Sequence, residues 1–167
     1  MRRATDIGGL VATVVGTEAV GGLSALAAGG DFVSYFKALR KPPGTPPPAA
    51  FGPVWGTLYL LMGVAAWLVW REGLTRKTVL ALGLFATQLV LNFAWSLIFF
   101  GQHRLGAALL EIAVLWLTIL LTIFAFWRVR RAAGALLLPY LAWVSVASYL
   151  NAGVWWLNGG ATAAGSG

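Results

Sequence analysis

KPPGTPPPAAFGPVWGTLYLLMGVAAWLVW, residues 41–70, sets a proline-rich segment directly against a long apolar run. Six of the seven prolines fall between Pro42 and Pro53. Proline has no N–H and a fixed φ, so Lys41-Pro-Pro-Gly-Thr-Pro-Pro-Pro48 is neither a helix nor a central strand. It reads as a semi-rigid extended loop, held at the edge of a segment long and apolar enough to cross a membrane. A stiff loop over the aromatic opening of that helix, Trp55-Gly-Thr-Leu-Tyr59, suggests a lid over a pocket.

Composition supports the membrane reading. Hydrophobic residues are 59% of the 167, charged residues 10%, and mean hydropathy is +0.80. A soluble domain carries roughly 25% charged residues, and so little charge cannot cover the surface of one this size. The chain is therefore expected to be an integral, multi-pass membrane protein. Its net charge of +7 resides in short loops and is not a nucleic-acid footprint. The absence of cysteine excludes disulfides and thiolate chemistry, and the lone histidine, His103, excludes a multi-histidine metal centre.

A span needs about 20 apolar residues. Five stretches meet that need: about 7–29, 51–70, 79–100, 105–127 and 134–157, with the proline-rich loop at 30–50 and a disordered tail at 159–167. Together they predict an all-α bundle of five transmembrane helices in a single domain, 1–158. Arg2-Arg3 and Ala25-Leu-Ala27 would suit a signal peptide, but Glu18 interrupts the first stretch and its length exceeds a signal core. Eight basic residues lie on the N-terminal side (Arg2, Arg3, Arg71, Arg76, Lys77, Arg128, Arg130, Arg131). Four lie on the other (Lys37, Arg40, Lys41, Arg104). In a bacterial plasma membrane this asymmetry places the N-terminus in the cytoplasm. Small residues recur at Gly8, Ala12 and Gly16, and at Gly21, Ala25 and Gly29. They are expected to pack inside the bundle, with a dimer contact as the other use.

Gln88, Asn92, Trp95 and Phe99 share one face of the third span. Two amides at membrane depth must be hydrogen-bonded, so this face points inward, either bridging helices or lining a pocket. Trp55 and Tyr59 share a face of the second span, and Trp143, Ala147, Leu150 and Asn151 form a stripe in the fifth. Trp67, Trp70, Trp127, Trp155 and Trp156 fit the interfacial aromatic belt. Trp55, Trp95 and Trp143 read instead as walls for a flat apolar ligand. Glu18 and Glu111 are the acids at membrane depth and functional candidates on that ground. Glu111 is expected either to be a protonated, hydrogen-bonded group or to reach a base near Arg104. No hydrolase, kinase or nucleotide motif is present.

These residues together resemble the TspO/MBR family, the tryptophan-rich sensory proteins of bacteria and the mitochondrial translocator proteins (peripheral benzodiazepine receptors) of animals. The resemblance rests on Lys41-Pro42, Pro46-Pro47, Pro53-Val-Trp55-Gly-Thr-Leu-Tyr59, Gln88 to Ser96, Phe99-Phe100-Gly101, and Pro139-Tyr-Leu-Ala-Trp143 through Leu150-Asn151. It implies a usually dimeric five-helix bundle in membrane lipid, with a cavity under the first loop for protoporphyrin IX or a haem-like tetrapyrrole, sterols or benzodiazepine-type compounds. No resident cofactor or metal is expected. By position the ligand would meet Gly22, Phe36, Pro46, Trp55, Tyr59, Asn92, Trp95, Trp143, Ala147 and Leu150. The implied roles are sensor, scavenger or transporter. A light-dependent porphyrin-degrading activity, with Trp55 and Trp143 as candidate catalytic groups, is the alternative. A structural role in a larger complex is the reading that needs no ligand. Three features depart from the family pattern. Gly44 stands where the family loop commonly has tryptophan, Tyr35-Phe36 replaces Trp-Tyr, and no basic residue completes a sterol motif after Val146 and Tyr149.

Overall fold

The computed structural model describes residues 2–159. The segment 160–167, expected as a disordered tail, lies outside the described residues. The chain runs through α1 (Arg2–Ala27), α2 (Phe32–Ala38), α3 (Pro48–Trp70), α4 (Arg76–Ser96), α5 (Leu105–Val129), α6 (Arg131–Leu136) and α7 (Leu138–Leu157). A π-helical turn, Leu97–Gly101, prolongs α4. Among the described residues, five segments are long and apolar enough to span a membrane: Asp6–Ala27, Pro48–Trp70, Arg76–Gly101, Leu105–Val129 and Arg131–Leu157. The five-span all-helical prediction holds, with ends displaced by a few residues.

Local chemistry sets those ends. Pro47 is extended and Pro48 opens α3, where a missing N–H has no intrahelical partner to lose. Thr75 caps α4 reciprocally: its hydroxyl accepts from Thr78 N–H, and its own N–H donates to the Thr78 hydroxyl at 2.8 Å. The fifth span is not one helix. Arg130 is extended, α6 makes a short start, and α7 begins afresh with Pro139 in its first turn. The loop expected at 30–50 also contains α2, a helix of seven residues, and extended chain only beyond it.

In the bundle, α1 packs on α3 and α4, α4 on α5, and α5 on α7. The α1–α3 crossing is close. An added Cβ at Gly63 would sit 2.6 Å from Val14 Cα, so only glycine lets the two backbones meet there. Alongside, Thr17 donates across to the Tyr59 carbonyl at 2.8 Å. The small-residue stripe was expected inside this contact, and its first half is not. Gly8, Ala12 and Gly16 are exposed, and a Cβ at either glycine would meet nothing within 4 Å. The helix turns about 100° per residue, and the buried side is instead the one carrying Thr17, Ser24 and Ala28.

Two exposed ion pairs tie the connections at the N-terminal end of the bundle: Arg71 to Asp6 at 3.0 Å and Arg130 to Glu72 at 2.9 Å. Trp67 adds an indole N–H to the Asp6 carbonyl at 2.9 Å, in keeping with its place in the interfacial belt.

Candidate ligand cavity

A cavity of about 290 Å³ opens between α1, α3 and the end of α4, on the side of the proline loop. From α1 come Glu18, Gly21, Ser24 and Ala25, with Ala28 just beyond; Phe32 enters from α2. α3 contributes Phe51, Gly52, Trp55, Gly56 and Tyr59, and α4 with its π turn adds Trp95, Ser96 and Phe100. The antiparallel register of α1 and α3, set by Thr17 against Tyr59, puts Glu18 at the deep end. Ala28, ten residues on, lies about 15 Å nearer the loop. Six aromatic rings stand in the wall: Trp55 and Tyr59 lie 5.6 Å apart, Phe32 and Phe100 meet edge to face at 5.8 Å, and Phe51 and Trp95 complete the set.

Of the ten expected contact residues, the cavity brings together Trp55, Tyr59 and Trp95. Asn92 lies one layer behind. The Tyr59 hydroxyl donates to Asn92 Oδ1, Asn92 Nδ2 donates to Tyr140 at 3.0 Å, and Tyr140 donates to Gln88 Oε1 at 2.8 Å. All four side chains are buried. The amides thus bridge α3, α4 and α7, and of the two uses open to them this geometry selects helix bridging. Trp95 is held similarly, its indole donating to Asn151 Oδ1 at 3.0 Å while Asn151 Nδ2 reaches the Leu105 carbonyl at 2.9 Å.

The remaining expected contacts do not line this cavity. Phe36 and Trp143 each pack edge to face on Phe51, at 5.4 and 5.8 Å, and of the three only Phe51 lines the space. Ala147 and Leu150 are buried in α7, away from α1. Pro46 is half-buried in the loop. Gly22 is exposed on the outer side of α1, and its neighbour Gly21 faces inward against the Tyr59 ring. Sequence position alone did not point to Ser24, Phe51 or Phe100. The spacing Gly21, Ser24/Ala25, Ala28 is the signal that marks the lining face of α1.

The loop is fastened to α7. Arg40 N–H donates to Asn158 Oδ1 at 3.1 Å, and Asn158 Nδ2 returns to the Arg40 carbonyl at 2.9 Å. Tyr149 donates to the Pro43 carbonyl at 3.1 Å, and Pro42 sits where a Cβ of Gly153 would be, 2.6 Å from its Cγ. Lys41 folds back, its Nζ donating to the carbonyls of Phe36, Lys37 and Leu39 and so closing the end of α2.

Residues 10–157 match the model of the TspO/MBR family. The chain belongs to the TspO/MBR family. It is 43% identical over 133 residues to the translocator protein of Homo sapiens, covering 78% of this chain and 79% of that one. With the tryptophan-rich protein TspO of Chlorobaculum tepidum the figures are 46% over 125 residues, 74% and 79%. With that of Archaeoglobus fulgidus they are 36% over 149 residues, 89% and 96%. Within this TspO/MBR chain, Gly44 has φ +80°, in the left-handed region that larger side chains avoid. The Thr45 hydroxyl closes the same turn on the Pro42 carbonyl at 2.7 Å. The loop here is therefore built around glycine, and a tryptophan at 44 would strain it. Glu111 departs from both uses expected of it: its carboxylate oxygens are buried and have no hydrogen-bond or ionic partner.

Proposed function

We propose that this TspO/MBR membrane protein binds a flat tetrapyrrole, protoporphyrin IX or a haem-like ring, in the cavity under its first loop, as a sensor, scavenger or transporter. The observation that carries the reading is the pairing of Trp55 and Trp95 in the wall of one loop-side cavity. Indoles bury much apolar area and stack on flat rings. The volume stands at the lower end of the roughly 300–1,000 Å³ usual for ligand pockets, so a porphyrin enters edge-on with part of its ring outside. Sterols and benzodiazepine-type compounds are the other apolar candidates for the same space. With Lys41 engaged at α2, ligand carboxylates have the exposed Arg40 and Arg104 as partners on the loop side.

Titration with protoporphyrin IX should quench tryptophan fluorescence with saturation near one ligand per chain. Trp55→Phe should weaken binding about three- to tenfold, the equivalent of a lost ring–ring contact. Trp143→Phe should weaken it less, because Trp143 does not line the cavity. Linear, unsaturable quenching that both variants share would sink the reading. A second reading, light-dependent breakdown of the bound ring, draws on the position of Trp55 as an indole electron donor in the wall. On illumination the same samples should lose the porphyrin band faster than free porphyrin in detergent, and Trp55→Phe should slow the loss. Equal rates dispose of that activity.

In a bacterial plasma membrane, the excess of basic residues at the N-terminal end supports a cytoplasmic N-terminus with the cavity mouth outside. Because the chain has no cysteine, Leu74→Cys and Gln102→Cys report each end cleanly. An impermeant thiol reagent on bacterial spheroplasts should label position 102 and spare 74, and the reverse pattern inverts the topology.

A further inference from the structure

Two groups around the cavity are left unused by the fold. Glu18 lines its deep end with its side chain exposed and, among the described residues, has no hydrogen bond or ion pair. Asp6 and Glu72, in contrast, meet arginines at the N-terminal end of the bundle. Ser24 is 6% exposed, lines the same cavity, and its hydroxyl has no partner. By contrast, Ser145 and Ser148 each donate to the carbonyl four residues back at 2.8 Å. No lysine, arginine or histidine lines the cavity.

A carboxylate at membrane depth is costly unless it faces a cation or water, and the space before Glu18 is walled by rings. Trp55, Tyr59 and Trp95 line this space, and aromatic faces attract positive charge, most strongly where water is excluded. Carboxylate, indoles and an unused hydroxyl make one chemical statement. We propose that the deep end of the cavity is a subsite for lipophilic cations, flat apolar compounds with a protonated amine or quaternary nitrogen. The nitrogen lies beside Glu18 and the ring among the tryptophans. This rests on the reading of the cavity as the ligand site and gives it a polarity: positive ends go down, and a porphyrin's carboxylates, repelled by Glu18, stay at the loop.

Three probes of nearly one shape and different charge test it near neutral pH: N-methylacridinium, neutral acridine and acridine-9-carboxylate, followed by tryptophan quenching in a non-ionic detergent. Wild type should prefer the cation over the neutral ring by about tenfold or more, the size of a desolvated cation–π and ionic contact, and the anion should bind weakest. Glu18→Gln should abolish the preference of cation over neutral ring, and Glu18→Asp should restore part of it. Glu18 takes part in no hydrogen bond or ion pair among the described residues, and an unchanged thermal unfolding midpoint in detergent certifies the variant as folded. Equal affinity for cation and neutral ring in wild type, or a preference that survives Glu18→Gln, overturns the proposal and leaves porphyrin binding standing. Absence of saturable binding by both porphyrin and acridines overturns both.

Discussion

Asn92 has two jobs in one side chain, accepting from Tyr59 on α3 and donating to Tyr140 on α7. An interhelical hydrogen bond in a membrane is worth only about 0.6 kcal/mol on average. Removing Asn92, however, leaves the buried Tyr59 hydroxyl without its acceptor while Tyr140 keeps its bond to Gln88, and an orphaned buried group costs about 1–3 kcal/mol. Asn92→Leu should therefore lower the thermal unfolding midpoint in detergent by more than the double variant Tyr59→Phe/Asn92→Leu, which removes the stranded hydroxyl as well. Equal shifts would mean that Tyr59 does not rely on Asn92 as the geometry shows. That Asn92 faces inward was readable in the sequence, since amides in lipid need partners. Its position behind the cavity wall was not, because pairing through Tyr59 depends on how three helices are rotated.

At the scale of the element, the first loop behaves as a strap buckled to α7. Proline content alone foretold its stiffness, but the Asn158 clasp on Arg40 and the seat of Pro42 on Gly153 join residues more than a hundred positions apart. Asn158→Ala removes two hydrogen bonds, each worth about 0.5–1.5 kcal/mol. Amide exchange at residues 39–41 and 44–45 should accelerate about fivefold or more, and porphyrin release should quicken with it. Gly153→Val should act in the same direction by displacing Pro42. Unchanged exchange in both variants would show that the prolines hold the loop without α7. The π turn ending α4 belongs to this scale too. It aims Phe100 into the cavity, and nothing in the pattern Leu97-Ile-Phe-Phe-Gly101 announced it.

For the whole molecule, α1 is the helix with the least cover. Its outer side carries Gly8, Ala12 and Gly16 beside the exposed Val11 and Val15. We propose this small-residue face as the contact of a homodimer, because close backbone approach drives helix association in lipid. Gly16→Ile should convert dimer to monomer in sedimentation velocity without lowering the unfolding midpoint. Gly63→Ile, whose Cβ would enter the Val14 backbone, should lower the midpoint instead. Wild type that sediments as a monomer refutes the contact.

Membrane class, the five spans, the stiff loop and the family are properties of local composition and motif, and the sequence by itself determined them. Tertiary structure decided which side of each helix looks inward: Gly21 and not Gly22, Phe51 and not Trp143, and Ser24 and Glu18 on one wall with Trp55. The reason is physical. In water, apolar residues mark the buried face of a helix; in lipid both faces are apolar, so close packing and a few buried hydrogen bonds choose the rotation.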